Sequence, residues 1–295
     1  MAVSATRPCI ACTAQFRSIF MPSTWLITGA TSGFGRLVAE RALAAGSHVI
    51  AVGRRSDRLA ELAQQAPAGQ ITTVELDLTA PQAQDVLADT VRAAGRLDVL
   101  VNNAGYGLFG AVEQIGATEA RAIFDTNVLA NLAVLRAALP ALRAAQGRVI
   151  QTSSLIGQFS WPSSGLYAAS KAAVELISEA LNHELAPTGV TVTIIEPGTF
   201  ATEFATNLTV VPPNDVYAPT VGKFLSDFSQ LPPEAFGDPN AVANAIMTVA
   251  TLPEPPLRLA VGADAVENIR ASLRSRLEEL DRWETLSIAP AQQTV

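Results

Sequence analysis

The sequence predicts a doubly wound α/β domain, a mostly parallel seven-stranded sheet flanked by helices. Three observations carry that prediction. Short apolar runs alternate with helix-length segments from residue 24 onward. The runs are continuously apolar rather than alternating, as in strands buried on both faces. A glycine-rich turn follows the first run and opens a helix.

Taken in order, the expected strands are Thr24–Thr28, His48–Val52, Ile71–Leu76, Leu97–Val101, Gly147–Thr152, Val190–Glu196 and Leu257–Val261. Between them lie expected helices at Phe34–Ala45, Ser56–Gln65, Pro81–Ala94, Thr118–Ala145 with a break inside it, Ser163–Leu185 and Pro239–Thr251. Repeated strand–helix–strand units require right-handed crossovers, hence parallel strands in one domain spanning 22–295. Residues 199–238 show no period and read as a long substrate loop. From Asp264 to Leu286, Val266, Ile269, Leu273, Leu277 and Leu280 recur at helical spacing, an amphipathic C-terminal helix for the body or for a partner.

Residues 1–21 read as a flexible N-terminal extension with Arg7 and Arg17 and no acid. A short leader, a disordered tail, or an upstream start with Met21 as the true one all fit; the strand that follows at once favours Met21. Cys9 and Cys12 are the only cysteines, so no disulfide framework is available, and their C-x-x-C spacing lacks a second ligand pair.

Composition narrows the function. With 49% hydrophobic residues in 295, a large core is available; with a net charge of −7, the basic footprint of a nucleic-acid binder is missing. The richest apolar run, Asn127 to Ala145, is interrupted by Arg136, Pro140 and Arg143, so no membrane span and a cytoplasmic location are expected. His48 and His183 sit in a strand and a helix, and no metal site is expected.

The chemistry begins after the first strand, at Gly29-Ala30-Thr31-Ser32-Gly33-Phe34-Gly35. Glycines there let the backbone turn and approach a pyrophosphate, while the helix N-terminus presents free N–H groups. The second strand ends in Gly53-Arg54-Arg55, with two guanidiniums where an NAD site would hold an acid. Arg54 and Arg55 therefore favour the 2′-phosphate of NADP(H) over NAD(H). Asp77 and Leu78 follow the third strand, facing the adenine. Asn102-Asn103-Ala104-Gly105 follows the fourth, at the switch point where ligands bind. Ser153-Ser154 ends the fifth strand, and Tyr167-Ala168-Ala169-Ser170-Lys171 places a phenol and an ammonium on one helix face. The ammonium is expected to lower the phenol pKa into the range of an acid–base group.

These motifs together resemble the short-chain dehydrogenase/reductase family, in its compact single-domain branch, over roughly residues 22 to 262. The resemblance rests on Thr28-Gly29-x-x-x-Gly33-x-Gly35, Asn102-Asn103-Ala104-Gly105, Asn127, Ser154, Tyr167, Lys171 and Pro197-Gly198. It implies a Rossmann fold and four catalytic residues. Tyr167 would be the general acid/base and Ser154 would hydrogen-bond the substrate oxygen. Lys171 would hold the nicotinamide ribose and Asn127 would position a relay water. The implied cofactor contacts are Gly29, Thr31, Ser32, Gly33, Phe34, Gly35, Arg54, Arg55, Asp77, Leu78, Asn103, Ala104, Gly105, Tyr167, Lys171, Pro197, Gly198, Phe200 and Thr202.

The run Leu257–Ala265 followed by a long helix looks like the 17β-hydroxysteroid and retinol dehydrogenase group, and a homodimer or homotetramer fits the resemblance. Tyr106, Leu108, Phe109, Leu155, Phe159, Trp161, Phe200 and Phe204 would line an apolar substrate pocket. The expected function is NADP(H)-dependent interconversion of a hydrophobic ketone or aldehyde and its alcohol. A sugar epimerase or dehydratase would use the same Tyr and Lys, and a non-catalytic NADP(H) sensor would keep the glycine turn.

Overall fold

A computed structural model describes residues 23–204 and 208–289. The expectation for residues 1–21 and the pair Cys9 and Cys12 fall outside that range. Within it the chain forms β1 (Thr24–Thr28), α1 (Gly33–Ala44), β2 (His48–Gly53), α2 (Ser56–Gln65), β3 (Ile71–Glu75) and α3 (Ala83–Ala94). There follow β4 (Val99–Asn102), a two-residue β5 (Leu108–Phe109), α4 (Ala117–Phe124), α5 (Ala130–Ala145), β6 (Arg148–Thr152) and α6 (Gly165–Leu185). The chain continues through β7 (Thr191–Pro197), β8 (Thr209–Val210), α7 (Lys223–Ser229), α8 (Pro239–Val249), β9 (Arg258–Val261) and α9 (Ala263–Ile288).

Seven strands make one sheet in the order β3-β2-β1-β4-β6-β7-β9, every pairing parallel. The strands' unbroken apolar character has a direct cause, since successive side chains enter two cores. Trp25 and Ile27 of β1, Val49 and Ala51 of β2 and Val99 and Val101 of β4 pack under α1, α2 and α8. Leu26, Ile50, Val52 and Leu100 pack on the other face, under α3, α5 and α6. The topology reverses between β1 and β4, which opens a crevice at their C-terminal ends. β5 and β8 pair separately beside it.

The expected break inside Thr118–Ala145 is a π-type turn at Asp125–Leu129, so α4, the turn and α5 form one continuous helical run. That run, Ala117–Ala145, has the length and hydropathy of a membrane span, but close to half of its most apolar window is buried. Val134, Leu135, Ala138 and Leu142 pack there with Leu87 and Val91 of α3. The described part of 199–238 is not an unstructured loop. It holds β8, a helical turn at Ala218–Gly222 and the helix α7. His48 serves strand pairing, its ring nitrogens meeting Gly69 O and Thr72 Oγ1.

Candidate active site

Thr28, the last residue of β1, organises the crevice. Its hydroxyl oxygen accepts from the backbone N–H groups of Asn103 (2.9 Å) and Ala104 (3.0 Å), and its carbonyl accepts from the Asn103 side chain (3.1 Å). The ends of β1 and β4 are thereby locked together. Gly29, at φ +68°, lies so close that a Cβ would stand 2.9 Å from the Asn103 amide, and a Cβ on Gly35 would stand 2.3 Å from Gly29 O. Neither position admits a side chain. The result is a bare backbone cradle at the N-terminus of α1, as a pyrophosphate requires.

A cavity of about 640 Å³ runs from this cradle. Gly29, Thr31, Ser32, Gly33, Phe34, Arg54, Arg55, Asp77, Leu78, Asn103, Ala104 and Gly105 line it at one end. Ser154, Tyr167, Lys171, Pro197, Gly198, Phe200 and Thr202 line it further along. Of the sequence-selected residues, Gly35 and Asn127 stand behind the wall rather than in it. At the far end of the first half, Arg55 donates to Thr31 Oγ1 and to Glu203 at 3.1 Å, and Arg54 lies close enough to Asp77 to help hold its carboxyl below the usual range. The larger influence on Asp77 is the backbone N–H and hydroxyl of Thr79.

The other half is built on β6 and α6. Tyr167 and Lys171 lie one helical turn apart, both buried, with the ammonium 6.0 Å from the ring centroid. Ser154 stands beside Tyr167, its hydroxyl close enough to act on the phenol. Ser153 instead donates to Glu175 at 2.8 Å, so its neighbour is the serine that meets the phenol. Lys171 Nζ donates to Thr152 O at 2.8 Å, and burial lowers its pKa to about 8 against the opposing pull of Glu175.

Here one expectation is corrected. Burial raises the Tyr167 pKa, the Ser154 hydroxyl opposes that rise, and Lys171 contributes nothing resolved. The ammonium points at a backbone carbonyl rather than at the phenolic oxygen, which accounts for the difference.

The π-type turn delivers Asn127 to the same centre. Its side chain brackets Tyr106, accepting from the backbone N–H at 3.1 Å and donating to the carbonyl at 3.0 Å, and also donates to Ser170 Oγ. A Cβ on Gly105 would stand 2.9 Å from Asn127 Oδ1 and 3.5 Å from Lys171 Nζ. Gly105 thus leaves room for both the amide and the ammonium.

The apolar end of the cavity holds Tyr106, Phe109, Leu155, Trp161, Phe200 and Phe204 as expected. Leu108 does not line it, because its side chain is wholly buried in the core, and Phe159 stands behind Trp161 at 5.3 Å between centroids. Three further aromatics complete it, Phe224, Phe228 and Phe236, linked to Trp161 by successive ring contacts near 6 Å. The spacing of Phe224 and Phe228 by four residues, following Val221, was the signal available for a helix there. Asp264, at the start of α9, was also missed. Its carboxylate accepts from Thr199 N–H at 2.7 Å and packs where a Cβ on Gly198 would go, pinning the Pro197-Gly198-Thr199 turn.

Comparison with known proteins agrees with this architecture. Residues 23–210 match the short chain dehydrogenase family model. The chain belongs to that family and is an oxidoreductase. It is 34% identical over 274 residues to oxidoreductase BOA17 of Botryotinia fuckeliana, covering 92% of this chain and all of that one. A short-chain dehydrogenase from Streptomyces avermitilis superposes with a TM-score of 0.84 at 39% identity, over 92% and 98% of the two chains. The closed form of a serine dehydrogenase complexed with NADP+ superposes at 0.69 with 30% identity, over 80% and 93%.

Proposed function

We propose that this protein is an NADP(H)-dependent reductase or dehydrogenase that interconverts a hydrophobic ketone or aldehyde and its alcohol. The observation that carries the reading is a single cavity with two differently equipped ends. A buried Tyr167 phenol, beside Ser154 and one turn from Lys171, stands at one end; Arg54 and Arg55 stand at the other. The donor set fits a nicotinamide dinucleotide: a side-chain-free cradle for pyrophosphate, guanidiniums for a 2′-phosphate, and the pinned Pro197–Thr199 turn. The complex of the serine dehydrogenase with NADP+ supports the same choice. When bound, that cofactor supplies or accepts the hydride.

The chain's own residues do the rest. In reduction, Tyr167 gives its proton to the substrate oxygen, while the Ser154 hydroxyl donates a hydrogen bond to that oxygen. Lys171 binds ribose hydroxyls and, with Asn127, passes a proton back toward the phenol. A raised phenol pKa keeps Tyr167 protonated at neutral pH, the state that reduction requires. Around the substrate, the aromatic lining excludes water and favours apolar groups. Among the described residues lining that end, none but Lys171 is charged.

The test pairs two variants on a panel of aryl ketones, steroids, retinal and aldehydes. Tyr167→Phe is expected to lower kcat at least about a hundredfold while NADPH affinity holds. R54A/R55A is expected to raise KM for NADPH far more than for NADH. Near-normal turnover by Tyr167→Phe would remove the acid–base role, and equal changes in both cofactor constants would remove the phosphate assignment.

A further inference from the structure

The C-terminal helix α9 runs for 26 residues, about 39 Å, and only its first turns engage the body. Ala265 is buried, Ile269 is half-buried against the core, and Arg276 donates to Gln158 O. From Leu273 onward the helix keeps large apolar side chains in water: Leu273 is 52% exposed, Leu277 57%, Leu280 62% and Trp283 54%. With Val266 and Ile269, the three leucines make one stripe at helical spacing, contiguous over more than four turns. A stripe of this length on a charged helix is a surface built to be covered.

Its charges say by what. On one flank of the stripe the first half of the helix carries Arg270 and Arg274, and the second half carries Asp281 and Glu284. We propose that α9 pairs antiparallel with α9 of a second copy of this chain, about a two-fold axis at Leu277. In that register Leu277 meets its own equivalent, Leu273 packs beside Leu280, and Val266 lies near Ile288. Arg270 falls opposite Glu284 and Arg274 beside Asp281, each pair occurring twice, as an isologous interface demands. A parallel two-fold pairing would set opposite flanks against each other and separate Arg270 from Glu284 by about 21 Å along the axis. A lipid surface fits less well, because the helix carries six acidic residues, four arginines and no lysine, where interfacial helices favour a cationic polar face.

The experiment is the mass of the full-length chain in solution, by light scattering and sedimentation at micromolar concentration, for the wild type and four variants. The wild type is expected to assemble, and Leu277→Arg, which sets two guanidiniums on the axis, to halve its mass while retaining its helical circular dichroism. Arg270→Glu and Glu284→Arg are each expected to weaken assembly about tenfold, and R270E/E284R to restore it. A monomeric wild type, an assembly indifferent to Leu277→Arg, or a double variant no better than the singles would overturn the proposal. Sedimentation of a monomeric chain with phosphatidylcholine vesicles, lost in Leu277→Arg, would overturn it in favour of lipid.

Discussion

The guanidinium of Arg55 is engaged on two sides, by the Thr31 hydroxyl and by the Glu203 carboxylate. A 2′-phosphate reaching Arg55 must compete with that carboxylate. Both partners are more than a third exposed, so the ion pair is worth at most about 1 kcal/mol. Glu203→Gln is therefore expected to lower KM for NADPH by up to about fivefold at low salt, with KM for NADH unmoved and the difference fading as salt rises. Unchanged NADPH kinetics would show that Glu203 leaves the guanidinium without cost. At this scale the sequence was most informative where chemistry depends on neighbours in the chain. Gly29 to Gly35, Asn103 to Gly105, and Tyr167 with Lys171 are short-range motifs, and a helix or a turn suffices to assemble each. Glu203 could not be read, because it lies 148 residues from its partner. The direction of the Tyr167 shift was also out of reach, since it depends on burial and on where Lys171 points.

The helix α7 illustrates what elements add. Residues 199–238 carry several prolines and no long periodic run, so propensity gives no helix, yet Lys223–Ser229 forms one turn and a half and more. Its stabilisation is tertiary: Phe224 stands 6.0 Å from Trp161 and Phe228 6.2 Å from Phe236, in the aromatic lining of the cavity. F224A/F228A is expected to lower kcat/KM for an apolar ketone by about tenfold or more, chiefly through KM, and to leave NADPH binding alone. A loss confined to kcat would instead assign the two rings to closure over the reacting atoms. The π-type turn at Asp125–Leu129 is the second such case. The sequence predicted a break in the long helix, but only the wide turn explains how Asn127 reaches Tyr106 and Ser170 without ending the run.

Across the whole molecule, the sheet, α6 and the middle of α9 meet at a buried acidic pair. Glu175 of α6 and Glu196 of β7 are 2% and 3% exposed and share the amide of Gln158, whose carbonyl Arg276 of α9 caps. Arg258 of β9 faces both carboxyls and binds Glu179 at 2.5 Å, while Lys171 lies one turn from Glu175. Burial, reinforced by the second carboxyl, raises the Glu175 pKa to about 7 from an ordinary 4.5, so the pair is built to hold a proton. The folded chain then binds more protons than the unfolded one between about pH 4.5 and 7, and this pair's stabilisation declines as pH rises through that window. Lys171 acts in the opposite sense at higher pH. Its folded pKa of about 8 lies below the ordinary 10.5, so its contribution is lost as pH falls through 8 and present above 10.5. Thermal unfolding followed against pH is therefore expected to show a shallow minimum near pH 7 to 8, a few degrees deep. Glu175→Gln, which keeps the hydrogen bonds of the protonated acid and cannot ionise, is expected to flatten the acidic side of that minimum and spare the basic side. A wild-type curve that rises steadily from pH 5 to 7, or a Glu175→Gln curve parallel to it, would mean that the pair is ionised in the folded protein and that Arg258 alone compensates it.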